Sequence, residues 1–233
     1  MKASFLVLFL LCLFHISCKE EDSENEKLLD SSRIWFDYRV WGDEEGGYMT
    51  IKAQYRLGGP NGKAISLAPP ANVMLDGSKL LPDSSRMTGV YYEISRPTHE
   101  FEGPHEIVFT DYSNKQYKQP FRFQPLTLLT EIPEIFSVNR LQLELEGVSQ
   151  NERVRLIMMD TASFSEGIDR LDSVKHGTLI VDSLEFATLA PGPIFLEVTR
   201  EKEQKILNGN KQRGRFSMSY GIKRQFEKAA RSQ

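Results

Sequence analysis

Leu141, Leu143 and Leu145 alternate with Gln142, Glu144 and Glu146 until Gly147 ends the run, and Met49, Ile51, Ala53 and Tyr55 alternate in the same way with Thr50, Lys52, Gln54 and Arg56. A period of two places every apolar side chain of a run on one face of an extended strand, so each run predicts an antiparallel strand with one buried and one wet face. Further short strands are expected at 34–40, 72–75, 89–94, 105–110 and 119–123, and then at 126–130, 135–138, 153–159 and 177–181. Turn signals separate them: Gly42 to Gly47, Gly58-Gly59-Pro60-Asn61-Gly62, Pro69-Pro70, Asp76-Gly77, Pro82-Asp83-Ser84-Ser85, Gly103-Pro104 and Ser113-Asn114. Short strands punctuated this often predict an all-β chain built as antiparallel β-sandwiches.

Pro125 interrupts a strand-like stretch and a second series of strands starts after it, which divides the sequence into two tandem sandwich domains, 33–124 and 125–222, followed by a basic tail at 223–233. The stretch Ile107-Val108-Phe109-Thr110-Asp111 with Tyr117 and Phe121-Arg122-Phe123 resembles the closing hairpin of an immunoglobulin-like domain. Leu189-Ala190-Pro191-Gly192-Pro193 leading into 194–200 resembles the turn before a late strand in fibronectin-like domains, with Glu201-Lys202-Glu203 as the next turn and return segments at 204–207 and 214–220. Segment 161–176 is the one long connection, a short helix or an exposed loop, and loops carry function more often than scaffolds do.

The N-terminus supplies an address. Lys2 precedes an apolar stretch from Phe5 to Phe14, and Ile16-Ser17-Cys18 follows, in the order of a secretory signal. The stretch is shorter than the roughly 20 residues that span a bilayer. These residues resemble the signal of bacterial lipoproteins, with His15 in place of the usual aliphatic residue. That resemblance implies cleavage of the signal peptide at 1–17 and acylation of Cys18, a membrane anchor that two or three acyl chains make effectively permanent. An ordinary secretory signal ending in a chance cysteine is the alternative. Lys19, Glu20 and Glu21 are similar to the export tract of Bacteroidota surface lipoproteins, which implies an outer-membrane protein at the cell surface, or at the periplasmic face if the tract is only part of a polar tether at 18–32. A tether of that length has a reach of about 20 Å.

Removing residues 1–17 from the 233 leaves 216 residues and costs one charge, Lys2, so the net charge moves from −3 to −4. That balance gives no basic field for a nucleic acid partner. Of the two cysteines, Cys12 leaves with the signal and Cys18 carries lipid, so no disulfide and no cysteine zinc site is expected, and stability has to come from the core.

Catalytic signatures are absent from the sequence: there is no nucleophile elbow, paired-histidine helix, phosphate loop or dinucleotide fingerprint, and no cofactor is implied. His99, His105 and His176 lack partners at metal-ligand spacing, and Asp43-Glu44-Glu45, which could collect oxygens for calcium, is ordinarily a solvated hairpin tip. Among the aromatics, Trp35 and Trp41 are ordinarily packing residues, but Trp41 abuts a charged turn. Trp41, Tyr48, Tyr91 and Tyr92 are therefore the candidate ligand-binding residues, because large rigid faces stack on sugars and anchor protein interfaces. The expected function is a non-catalytic binding or assembly module of the cell envelope. The alternatives are an accessory glycan-binding protein of a nutrient-uptake complex, marked by an exposed aromatic row, and a hydrolase on a β scaffold, marked by a cleft with converging carboxylates.

Overall fold

The computed structural model of the protein describes residues 31–137, 140–208 and 211–230. Cys18, Lys19, Glu20, Glu21 and most of the tether lie outside the described residues. In chain order the strands of the first half are β1 (Ile34–Asp43), β2 (Tyr48–Leu57), β3 (Asn72–Leu75), β4 (Ser78–Lys79), β5 (Leu81–Ser85), β6 (Gly89–Pro97), β7 (Gly103–Thr110) and β8 (Gln116–Phe123). Those of the second half are β9 (Thr127–Leu128), β10 (Ile135–Phe136), β11 (Leu141–Glu146), β12 (Arg153–Asp160), β13 (Ile168–Ser173), β14 (Thr178–Val181), β15 (Gly192–Asn208) and β16 (Lys211–Lys228). One short helix, α1 (Ser183–Thr188), precedes β15, and its first turn is capped by Asp182, whose carboxylate accepts hydrogen bonds from the amides of Leu184 and Glu185.

The alternation read from the sequence holds. Met49, Ile51, Ala53 and Tyr55 are buried, as are Leu141, Leu143 and Leu145, and the fold is all-β with β-sandwich packing; Gln54, expected on the wet face, is the exception, buried with its amide donating to the carbonyl oxygens of Thr88 and Val90 at 2.6 and 3.0 Å. A four-stranded sheet, β4-β3-β7-β8, and a three-stranded sheet, β14-β11-β9, pack against a nine-stranded sheet ordered β13-β12-β15-β16-β1-β2-β6-β5, with β10 also paired to β16. Phe36 and Tyr55 meet Phe109 of β7, and Phe121 and Phe123 of β8 meet Phe216 and Tyr220 of β16. Farther along β16, Phe226 packs against Phe136 with their rings tilted, and Phe136 also touches Phe186 of α1.

The large sheet crosses the division at Pro125. β16 runs antiparallel to β15 along its whole length and, over Gly214 to Gly221, parallel to β1 from Phe36 to Asp43. The last strand of the chain thus fills a central position in the large sheet, beside the β1-β2-β6-β5 portion that the first half contributes opposite β4-β3-β7-β8. Gly214 permits the close approach, since a Cβ there would sit 2.3 Å from the Phe36 carbonyl oxygen. At the junction Gly147, with φ +81°, lies where a Cβ would be 1.9 Å from the Pro125 carbonyl oxygen, so the two halves are pressed together at the division.

Three sequence expectations change. Residues 201–203 are not a turn: β15 continues through Asn208, paired with β16 from Gly192 to Asn208 with one register shift after Ile206. Residues 223–228 are not a tail but the end of β16, where Lys223 and Arg224 find carboxylates. Segment 161–176 holds an edge strand, β13, pinned by a two-pronged contact of Arg155 with Asp169 at 2.8 and 2.7 Å, while the helix forms later, at α1.

Phe216, Met218 and Tyr220 bring β16's apolar side into the first core, each 5% exposed or less. At about 1.5–3 kcal/mol per buried side chain their loss rivals the whole stability of a small domain. A fragment of residues 33–124 is therefore expected to show no cooperative melt by circular dichroism, whereas the whole chain melts in one transition. A cooperative melt of that fragment would show that β16 is dispensable to it.

Candidate binding face

Both small sheets cover the same side of the large one. Tyr38 pairs with Phe216, Tyr220 with Arg200 and Arg200 with Val154, so Phe36, Tyr38, Phe216, Val198, Leu196, Val154 and Leu156 all point inward. Residues of opposite phase form the other side, which no described element covers. Across it run rows set by the register: Glu201, Ser219, Trp41, Thr50 and Ser95 in one, and Glu203, Ser217, Arg39, Lys52 and Glu93 in the next.

Small side chains on β16 sink the middle of these rows. A depression of about 360 Å³ is lined by Arg39, Val40, Trp41, Lys52, Ser217 and Ser219. Another of about 590 Å³, lined by Arg153, Leu171, Glu201, Lys202, Glu203 and Met218, shares the same two serines. Ser217 and Ser219 thus form the floor of one trough that crosses the sheet from β2 to β13. Trp41 stands on its wall, 38% exposed.

The four candidate aromatics separate. Trp41 and Tyr48 share the open face on adjoining strands, and Tyr48 is 58% exposed. Tyr91 is on that face too, but its hydroxyl donates to Asp83 Oδ2 at 2.7 Å and Lys52 Nζ lies 3.4 Å from its ring centre, so a cation occupies the face a ligand would stack on. Tyr92 takes no part. Being one residue from Tyr91 on a strand, it points to the opposite side, is buried, and accepts a hydrogen bond from the Leu67 amide at 2.6 Å. The aromatic row shrinks to Trp41 and Tyr48, and the hydroxyl floor beside it was missed because Ser217 and Ser219 are far from Trp41 in sequence.

Charges fix the frame of the trough. Asp37, with its side chain 7% exposed, lies between Arg215 (3.0 and 3.1 Å) and Arg39 (3.1 Å). Burial alone would raise its carboxyl pKa; hydrogen bonds and charge from Arg215 and Arg39 outweigh this and hold it below the usual carboxylate range. Burial lowers the Lys52 ammonium, which Glu93 opposes and Arg39 reinforces. The Asp43-Glu44-Glu45 turn is not an open cation loop. Asp43 accepts from the Gly46 amide at 2.6 Å and pairs with Lys223 at 3.1 Å, and Glu44 pairs with Arg224.

His105 is a structural pin. Its Nδ1 lies 2.7 Å from Asp76 Oδ2, its Nε2 is 2.8 Å from the Phe101 carbonyl oxygen, and its ring stacks on Phe101. Among the described residues no three histidine, cysteine, aspartate or glutamate side chains gather where they could hold a metal ion.

No family model and no curated protein matches the chain. Among solved structures, a tetra-tandem repeat from the extending region of a large adhesion protein aligns at 13% identity and a TM-score of 0.28 over 85% of this chain and 50% of that one. The chain thus spans half the length of that structure. The IG1+IG2 pair of DIP-gamma aligns at 11% identity and a TM-score of 0.25 over 81% and 97% of the two chains. The SGBP-B protein of the Bacteroides ovatus mixed-linkage glucan utilization locus, solved with a mixed-linkage heptasaccharide, aligns at 11% identity and a TM-score of 0.19 over 82% and 60%.

Replacing Asp37 by Asn leaves two guanidinium groups without their shared carboxylate and is expected to cost about 1–2 kcal/mol at pH 7. Because the folded-state pKa is depressed, this contribution is present above about pH 4 and fades as pH falls through the folded value. The stability gap between the parent and Asp37→Asn in urea titrations should therefore narrow below pH 4; a gap constant from pH 7 to 3 would contradict the assignment.

Proposed function

We propose that this protein is a lipid-anchored cell-envelope protein that binds a glycan chain, without transforming it, in the trough on the open face of its nine-stranded sheet. One observation carries the reading: Trp41 presents an exposed indole beside a floor and flank of small hydroxyl residues, Ser217, Ser219 and Thr50, within reach of Arg39, Lys52, Glu201 and Glu203. A sugar ring offers an apolar CH face to stack on an indole and a rim of hydroxyls that need both donors and acceptors. Here the indole, serine hydroxyls, cations and carboxylates supply each of these. The trough is open along its length, which suits a chain better than a compact metabolite.

Glu201 and Glu203 face the same trough, the arrangement a glycosidase reading would ask for. Both are exposed. A carboxyl that acts as general acid is kept protonated by burial or by a like charge held close, and solvent-exposed carboxylates serve instead as acceptors for sugar hydroxyls. The anchor part of the proposal rests on the Ile16-Ser17-Cys18 sequence and the acidic tract that follows it.

Trp41→Ala is expected to weaken retention in polysaccharide affinity gels by 10-fold or more, while Met87→Ala, at a fully exposed position elsewhere, leaves it unchanged. Equal retention by both variants, or shortening of the polysaccharide on incubation, would sink the reading. For the anchor, Cys18→Ala is expected to move the protein from the detergent phase to the aqueous phase in partitioning, and a variant that stays in the detergent phase would contradict lipidation.

A further inference from the structure

Away from the trough, on the covered side of the large sheet, lies an arginine that the fold buries without a counter-charge. Arg213 is 8% exposed, no carboxylate lies within ion-pair distance among the described residues, and its Nε has no hydrogen-bond partner. Among the described residues its guanidinium makes one hydrogen bond, a long one, 3.5 Å from Nη2 to the Ile34 carbonyl oxygen. The guanidinium instead sits between two rings, 5.3 Å from the centre of Phe36 and 5.6 Å from that of Tyr117. Ring faces recover part of the desolvation of a cation, but they leave its in-plane donors unused.

The backbone puts it there on purpose, in the physical sense that a regular ladder could not. The β15–β16 register is unbroken from Gly192 to Ile206, which pairs with Gly214; the next pair is Leu207 with Gln212, so Arg213 is the extra residue of a β-bulge. A bulge interrupts the alternation and re-aims one side chain. Here it turns Arg213 inward beside Gly214, into a cavity of about 120 Å³ lined by Phe36, Tyr38, Tyr117, Ile206 and Leu207, with Gln119 and the exposed Lys118 beside it.

We propose that this cavity is a binding site for a small organic carboxylate with an apolar body, its carboxylate paired with Arg213 and its carbon chain against the aromatic and aliphatic wall. A buried guanidinium with free in-plane donors calls for a planar anion that accepts in parallel, which is the geometry of a carboxylate. Phe36, Tyr38, Tyr117, Ile206 and Leu207 give the body of such an anion an apolar wall, with Gln119 and Lys118 at the more polar side. A cavity of about 150 Å³ accommodates benzene, so this one has room for about five or six non-hydrogen atoms, the size of propionate or butyrate.

Calorimetric titration of the full chain with sodium propionate and sodium butyrate is the test, with propionamide as neutral isostere and sodium chloride at matched ionic strength. Saturable binding of the carboxylates, at least 10-fold tighter than of propionamide, is expected. Equal binding of the amide, or no binding of either carboxylate, overturns the proposal. Arg213→Met is expected to abolish the binding and, by removing an unpaired buried charge, to raise the melting temperature of the ligand-free protein; retained binding overturns the assignment. Ile206→Trp keeps the arginine and fills the cavity, so it too should lose the binding, and persistence there would place the ligand elsewhere. Neutralising the acidic residues of 20–30 should leave the carboxylate affinity unchanged; a gain would make the chain's own carboxylates the natural occupants and overturn an external ligand.

Discussion

Everything in this fold depends on β16 pairing on both sides at once. Its antiparallel bonds to β15 are local, the product of a hairpin, but its parallel bonds to β1 join residues separated by nearly the whole chain. Parallel neighbours cannot be joined by a tight turn; here the entire intervening chain forms the crossover. The contact tolerates no side chain at Gly214, where the strand backbones come closest, and it is sealed by Phe216 and Tyr220 reaching into the aromatic cluster of β7 and β8. Because β16 extends on past Gly221, its far end carries Ile222 and Phe226 into the second core. The described buried apolar residues accordingly form one continuous cluster.

Arg200 shows how the seam between the two halves is closed. It lies on the inward side of β15, 3% exposed. Its guanidinium donates to the carbonyl oxygen of Gly147 at 2.5 Å and to that of Gln124, the residues that flank the junction, and Glu152 approaches at 3.9 Å. Burial lowers its pKa, with Glu152 opposing that effect. One buried side chain thus supplies donors to two backbone carbonyls on either side of the junction. Arg213, also buried, differs in that its Nε is left without a partner.

Local features of the fold were legible in the sequence and long-range ones were not. Alternation at Met49 to Tyr55 and at Leu141 to Leu145 identified which side chains would be buried, because period two is a property of a single strand. The turn expected at 201–203 failed for the opposite reason: Glu201, Lys202 and Glu203 look like a solvated turn, and only the partner strand keeps them extended. Likewise, Lys223 and Arg224 read as a tail until the strand that brings them beside Asp43 and Glu44 is known. In the site, Trp41 was visible as an aromatic next to a charged turn. Ser217 and Ser219 were not, since serine carries no signal of its own and its meaning here comes from the parallel register with Arg39 and Trp41. Tyr91 and Tyr92 could have been separated from sequence by the same alternation that identified the strands.

The two proposed sites sit on opposite sides of one strand, and a register shift just before Gly214 takes Arg213 out of the phase of the serines. From Gly214 onward the phase of β16 is regular: Phe216, Met218 and Tyr220 point into the core, and Ser217 and Ser219 point out to the trough. Extending that phase backward would turn residue 213 outward with the serines, where a guanidinium would be solvated at no cost. The bulge shifts it by one and points it inward, next to rings that cannot neutralise it. Stability alone gives no reason for this, because an aliphatic side chain in the same space would pack against Phe36 and Tyr117 without a desolvated charge. On β16 the outward residues thus make a hydroxyl floor, and the register shift buries a cation that packing alone does not require.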